Sequence, residues 1–212
     1  MQLSGFNAEQ ILQRQAFQIP QKINFGSGTS FKPDMLNIDI SPKRAPDLVC
    51  DLGQPFDFNK EYKTDRFGKV KIPVGYFNYI EAHNILEHIP NLVVAMTNCL
   101  DFLDLGGIMD VLVPYDLSYG AWQDPTHLRA FNERSWLYYT DWCWYCNWID
   151  YRFDLIELMY GISEYGNILM QQHNNNVEIV AKIPRAIDFI QVKLKKRQTS
   201  EQERQYYRQM VK

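Results

Sequence analysis

The feature that most constrains this chain lies between Tyr76 and Pro114, where a strand-like run, a one-faced helical run and a second strand-like run follow one another without a long break. Tyr76 to Ala82, YFNYIEA, reads as a strand, and His83 to Ile89, HNILEHI, turns into the next helix. From Asn91 to Leu103, the apolar residues Leu92, Val93, Met96, Leu100 and Leu103 recur at three- and four-residue steps, which places them on one buried helix face. Gly106-Gly107 marks the end of that helix, and Gly107 to Pro114, GIMDVLVP, is again a strand. Strand, helix and strand in this order predict a parallel sheet joined by right-handed crossovers.

Upstream, Lys22 to Phe25 is a short extended run followed at once by Gly26-Ser27-Gly28, a turn that leaves backbone N–H groups open to a ligand. Met35 to Ile40 reads as a second strand with Asp39 near its end, and Pro46 to Cys50 as a third that closes on Asp51. In open parallel sheets ligands sit outside the carboxyl ends of the strands, where an acid accepts hydrogen bonds from ribose hydroxyls. A nucleoside is therefore the first hypothesis, set against a plain turn between strands. The dinucleotide fingerprint wants a third glycine and an acid about 20 residues on, whereas this chain has Ser30 and an acid only about 11 residues after Gly28. A pyrophosphate seat at a long helix N-terminus is disfavoured, and a smaller ligand without phosphates fits better. Asp51 either meets an adenine amino group or caps a turn.

Tyr115 to Phe131 follows the fifth strand as a loop at its carboxyl end, the place where such sheets keep their chemistry. Asn132 to Trp148 is expected to be an aromatic-rich helix, and Phe153 to Tyr160 and Val177 to Ile183 two further strands. A loop containing His173 and Asn174 to Asn176 would join that pair as an antiparallel hairpin near one sheet edge. At the front, Asn7 to Phe17 suggests a leading helix that ends before Pro20. Residues 59–75 read as a charged surface insertion with a small hairpin around Arg66 to Lys69; its lysines either face water or meet a polyanion. The tail, residues 193–212, begins with Lys193, Lys195, Lys196 and Arg197, a solvated end or a contact for an acidic partner or RNA, and Ser200 with Glu203 forms a capping-box pattern.

At 212 residues, 46% hydrophobic and 22% charged, the chain has the composition of one globular domain spanning 1–212. A net charge of −3 provides no global attraction for nucleic acid. Neither a membrane-spanning run nor a signal peptide is visible, so a cytoplasmic protein is expected. Cys143 and Cys146 form the single C-x-x-C pair, without the second pair or histidine of a zinc site, and read as packing among Trp142, Trp144, Tyr145 and Trp148.

Taken together, INFGSG, LNIDIS, DLVCDL, IEAHNILEHI, LDLGGIMDVLVP and WQDPTHLRAF resemble the class I S-adenosylmethionine-dependent methyltransferases, in particular a small bacterial and phage-like branch with a shortened first crossover. The resemblance covers about Lys22 to Phe131 and implies a Rossmann-like α/β fold: a mainly parallel seven-stranded sheet completed by a C-terminal antiparallel hairpin. It implies S-adenosylmethionine as cofactor, with Gly26, Ser27 and Gly28 at its amino-acid part, Asp39 with Ile40 at the ribose, Asp51 and Leu52 at the adenine, and Ala82 and His83 beside the sulfonium. Two features depart from the family: Asn24 replaces the usual acid two residues before the first glycine, and too few residues separate Gly28 from the second strand for a full helix.

Methyl transfer needs a base only when the acceptor carries a proton. His127 is the candidate, oriented by Asp124 or Asp116. The alternative is that Asp124 caps the DPTH turn while His127 and Arg129 tie the loop down. Arg129 would otherwise hold an anionic acceptor, and Tyr115, Tyr119 and Trp122 form a lid or acceptor pocket or simply pack. His88, in the LEHI segment, reads as a helix residue. The acceptor and the oligomeric state are not legible. A non-catalytic binding protein on the same fold and a nucleic-acid-modifying enzyme are the alternatives.

Overall fold

A computed structural model describes residues 19–211 of the chain. The expected leading helix, Asn7 to Phe17, lies outside the described residues. The strands are β1 (Lys22–Phe25), β2 (Leu36–Asp39), β3 (Leu48–Val49), β4 (Tyr62–Thr64), β5 (Gly68–Val70), β6 (Phe77–His83), β7 (Leu103–Pro114), β8 (Tyr151–Ile162) and β9 (Ile187–Gln198). Seven of them form one sheet in the order β3-β2-β1-β6-β7-β9-β8, and β4 and β5 form a separate antiparallel hairpin at the predicted place. The pairings from β3 through β7 are parallel, while β9 runs antiparallel to both β7 and β8. This is the mainly parallel, seven-stranded arrangement that the resemblance implies.

The register shows why these short strands hold. Asn37, Asn24, Glu81, Asp110, Lys193 and Glu157 lie side by side across six strands, one polar row. Successive residues of a strand point to opposite faces, so the rows on either side belong to the other face. There Leu36, Ile23, Ile80, Met109 and Leu194 align, as do Ile38, Phe25, Ala82, Val111 and Val192, and all ten are at most 1% exposed. Among the described residues, the hydrophobic core packs against this face of the sheet. Helix α1 (Leu92–Phe102) belongs to that core, burying Ala95, Met96, Cys99, Leu100 and Phe102. The side chain of Asn91 accepts from Val94 N and fixes the start of α1. Phe102 meets the rings of Phe25, Phe56, Phe58 and Phe77 at 4.6–5.8 Å.

On the polar face the ten-residue connection from β1 to β2 takes the place of a crossover helix. Asn24 Nδ2 donates to Ser30 O (2.8 Å) and to Asn37 Oδ1 (3.0 Å), and Asn37 Nδ2 donates to the carbonyls of Lys32 and Met35. An acid at position 24 has no proton to give these acceptors, which accounts for the departure seen in the sequence. Asp47, 3% exposed, accepts from Asn37 N and from Arg66 Nε and Nη2, and Arg66 also donates to Pro33 O and Met35 O. The insertion hairpin is therefore clamped to the connection, and its arginine is fully engaged.

Three expectations are corrected. Asn132 to Trp148 is not an α-helix but two 3-10 turns, Ser135–Tyr139 and Cys143–Cys146, because its rings stack on one another and Asn147 turns left-handed at φ 58°. Val177 to Ile183 is not a strand: Asn176 Oδ1 accepts from Glu178 N and Ile179 N and starts a one-turn helix, Val177–Val180, after the helix Glu164–Gln172. The partner of β8 is instead β9, so Lys193 to Arg197 belong to an interior strand and not to a tail. Lys193 pairs with Glu157 and Arg197 with Asp154 and Glu203, while Lys196 Nζ donates to Leu103 O. The capping box of Ser200 and Glu203 starts the helix Glu201–Met210 as predicted. Cys143 and Cys146 are free thiols, both raised by burial, Cys146 to about 11.

Candidate functional site

A cleft of about 390 Å³ opens at the carboxyl ends of β1, β2 and β3, lined by Gly26, Gly28, Asp39, Ile40, Asp51 and Leu52 together with Arg44, Cys50 and the segment Asn84–Pro90 in part. That volume lies within the usual range for small-molecule sites. The chain shapes it with a tight bend: Gly26 and Gly28 sit at φ 62° and 48°, and Ser27 N donates to Ile38 O of β2. Gly28 N then donates to Asp39 Oδ2 at 2.9 Å, and Ser41 N to Asp39 Oδ1 at 2.8 Å. The glycine bend and the acid of the next strand are thus bonded to each other. Asp51 Oδ1 accepts from Gly53 N, the turn-capping role, while Asp51 still lines the cleft. Ser27 is 1% exposed, and its Oγ has no hydrogen-bond partner among the described residues.

The far wall comes from the residues after β6. Asn84 takes φ 52° and donates its N–H to Leu112 O, so the chain leaves the sheet sharply and brings Ile85 and His88 to the cleft. Behind His88 lies the DPTH loop. Asp124 Oδ1 accepts from Thr126 N and Thr126 Oγ1, and Thr126 Oγ1 lies 2.9 Å from His88 Nδ1. His127, whose side chain is 7% exposed, has Nδ1 3.1 Å from Ala121 O and Nε2 4.0 Å from Glu87 Oε1 and 3.9 Å from Asp124 Oδ2. Leu128 N donates to Glu87 O, and Arg129 donates to Ile89 O and Pro90 O, locking the loop onto the cleft wall. Burial pushes the Glu87 carboxyl above its ordinary range.

Of the residues singled out from sequence, the structure brings Gly26, Gly28, Asp39, Ile40, Asp51 and Leu52 together and separates others from them. Ala82 is fully buried on the apolar sheet face, and His83 lies 3.5 Å from Glu81 and 3.4 Å from Asp110; neither lines the cleft. Tyr115 is a core residue whose hydroxyl donates to Glu133 and Ala181 O. Tyr119 is exposed beneath the Arg185 guanidinium, beside a different hollow, and exposed Trp122 donates to Asp116 O. The Arg129 guanidinium donates to two backbone carbonyls, Ile89 O and Pro90 O, which tie the loop to the cleft wall. Sequence reasoning missed Arg44, Cys50, Asn84, Ile85 and the cleft position of His88. The LEHI segment directly after a strand end was the available signal for His88. A larger hollow of about 540 Å³ between β3 and the hairpin contains Asp47, whose carboxylate is already fully paired.

No protein-family model matches the chain, and no curated protein matches its sequence. Among solved structures it is similar to an S-adenosylmethionine-dependent methyltransferase from Archaeoglobus fulgidus, with 15% identity over 84% of this chain and 86% of that one, at a TM-score of 0.49. It is similar also to such a methyltransferase from Mesorhizobium loti (10% identity, 87% and 95% covered, TM-score 0.48) and to the [4+2]-cyclase SpnF (14%, 88% and 78%, 0.49). At these values the likeness adds nothing to what the sheet order states by itself. Strand order, strand directions and the antiparallel closing pair give this chain the Rossmann-like fold of the class I methyltransferases.

Proposed function

We propose that the chain binds S-adenosylmethionine in the cleft at the ends of β1, β2 and β3 and transfers its methyl group to an acceptor. One observation carries the reading: Asp39, at the carboxyl end of β2, is held by Gly28 N and Ser41 N with lone pairs left for two ribose hydroxyls. The residues fit the rest of such a ligand. Asp51 and Leu52 line the same cleft, which supports an adenine there, and Gly26 and Gly28 line it at the bend, which supports the amino-acid part on that side. Bound there, the cofactor supplies an electrophilic methyl on a positively charged sulfur. The protein's part is to align donor and acceptor and exclude water. No general base is assigned, because His127 Nε2 faces Glu87 and Asp124.

Nucleic acid is not favoured as acceptor, since Arg66, Lys193 and Arg197 are already paired with carboxylates. Calorimetry on the purified chain is expected to show one S-adenosylmethionine, or its demethylated product, bound at micromolar affinity, about −8 kcal/mol. Absence of both heat and thermal shift with either compound would remove the proposal.

Gly26→Ala tests the bend. A Cβ there would stand 2.3 Å from Ile85 Cδ1 at a positive φ, costing about 1–2 kcal/mol and driving Ile85 into the cleft. A lower melting temperature and roughly tenfold weaker cofactor binding are expected. Unchanged binding would mean that Ile85 does not bound the ligand.

A further inference from the structure

The least explained group in the described residues is the carboxylate of Glu87. The residue is 1% exposed, and neither Oε1 nor Oε2 has a hydrogen-bond partner. A buried acceptor with no donor is rare and calls for an occupant. Facing it, one nitrogen from each of His88 and His127 and one Glu87 oxygen lie within 4.8 Å of one another. We propose that Glu87, His88 and His127 bind one divalent first-row transition-metal ion of the zinc type.

The protonation pattern supports this independently of the spacing. Thr126 Oγ1 gives its only proton to Asp124 Oδ1 at 2.7 Å, so toward His88 Nδ1, 2.9 Å away, it is an acceptor. His88 therefore carries a proton on Nδ1, which leaves Nε2 as its ligand atom. His127 Nδ1 faces the carbonyl oxygen of Ala121, which can only accept, so that ring too carries a proton on Nδ1, which leaves Nε2, facing Glu87 and Asp124, as its ligand atom. Both imidazoles are thus fixed in the tautomer of a metal ligand, each with its second nitrogen donating to an oxygen. Two imidazoles and a carboxylate suit zinc and its first-row neighbours better than calcium or magnesium, which prefer all-oxygen shells.

Ligand bonds of about 2.0–2.2 Å require the three side chains to close in slightly from their present spacing. Asp124 Oδ2 stands 3.9 Å from His127 Nε2, and its side chain is 44% exposed, which offers an entry from solvent and a fourth donor. The ion would join the turn Leu86–His88 to the loop containing His127, at the edge of the cleft that His88 lines.

The test uses untagged full-length protein stripped with a chelator, dialysed and titrated with Co²⁺ without S-adenosylmethionine, so its outcome is independent of cofactor binding. Visible d–d absorption saturating at one equivalent and abolished by Zn²⁺ is expected, with a higher melting temperature in Zn²⁺. His127→Ala and the shape-preserving Glu87→Gln should each weaken Co²⁺ binding at least about tenfold, whereas His173→Ala, at a helix end elsewhere, should not. Wild-type protein giving no saturable absorption overturns the proposal even if the variants fail to fold. Equal Co²⁺ affinity in His127→Ala and wild type overturns it as well.

Discussion

Asp39→Ala is expected to weaken S-adenosylmethionine binding about 100-fold while leaving a folded protein. Hydrogen bonds to an ionised carboxylate contribute about 1.5–3 kcal/mol each, so losing those to two ribose hydroxyls amounts to about 3 kcal/mol of affinity. The same carboxylate also serves Gly28 N and Ser41 N, and both amides lie in a half-exposed rim where water can replace it. A melting temperature lowered by a few degrees is the expected price in stability. Calorimetry and thermal melts on Asp39→Ala and Asp39→Asn separate the two effects, since Asn keeps an acceptor but loses the charge. Cofactor affinity unchanged in both variants would show that the ligand, if it binds, lies elsewhere.

The second large effect concerns stability. Asp47 lies nearly buried between Arg66 and Asn37, and removing it leaves a guanidinium and a backbone N–H without their acceptor. Breaking one partner of such a pair typically costs about 3–5 kcal/mol, so Asp47→Ala should lower the urea midpoint markedly. Burial by itself would raise the Asp47 carboxyl, but hydrogen bonds from Arg66 and Asn37 outweigh it and hold the group below its ordinary value. A carboxyl lowered on folding stabilises above its unfolded value, near pH 4, and that stabilisation is lost as pH falls through the folded value. The difference between wild type and Asp47→Ala is therefore expected to be full at neutral pH and to shrink below about pH 4. A pH-independent difference would mean that the charge on Asp47 contributes nothing.

Much of the fold was legible because its strands carry strong local signals: a glycine bend after β1, acids closing β2 and β3, and the three- and four-step pattern of α1. The misreadings have physical causes. VEIVAKI alternates like a strand, but Asn176 caps its first amides and the preceding Asn174 and Asn175 turn left-handed. The true last strand, IDFIQVKLKKRQ, was hidden by its lysines, although Ile190, Val192 and Leu194 alternate with polar residues as a half-buried strand must. In β6 the buried Ile80 and Ala82 alternate with half-buried Tyr79, Glu81 and His83, which among the described residues leaves one sheet face polar. The cleft was legible where it is built from strand ends. It was not legible where it depends on Asn84 redirecting the chain or on a loop folding back from beyond β7, since neither leaves a periodic trace.

The position of β9 bears on how the molecule can be made. The strands that carry the cleft are all present once residue 83 has been synthesised, yet β7 and β8 have no shared neighbour until residues 187–198 emerge to lie between them. A growing chain must therefore hold two long, unpaired edges apart while the helices of residues 164–180 are translated, an invitation to pair with other chains. Premature termination before residue 187 would remove the wedge that joins the two halves of the sheet.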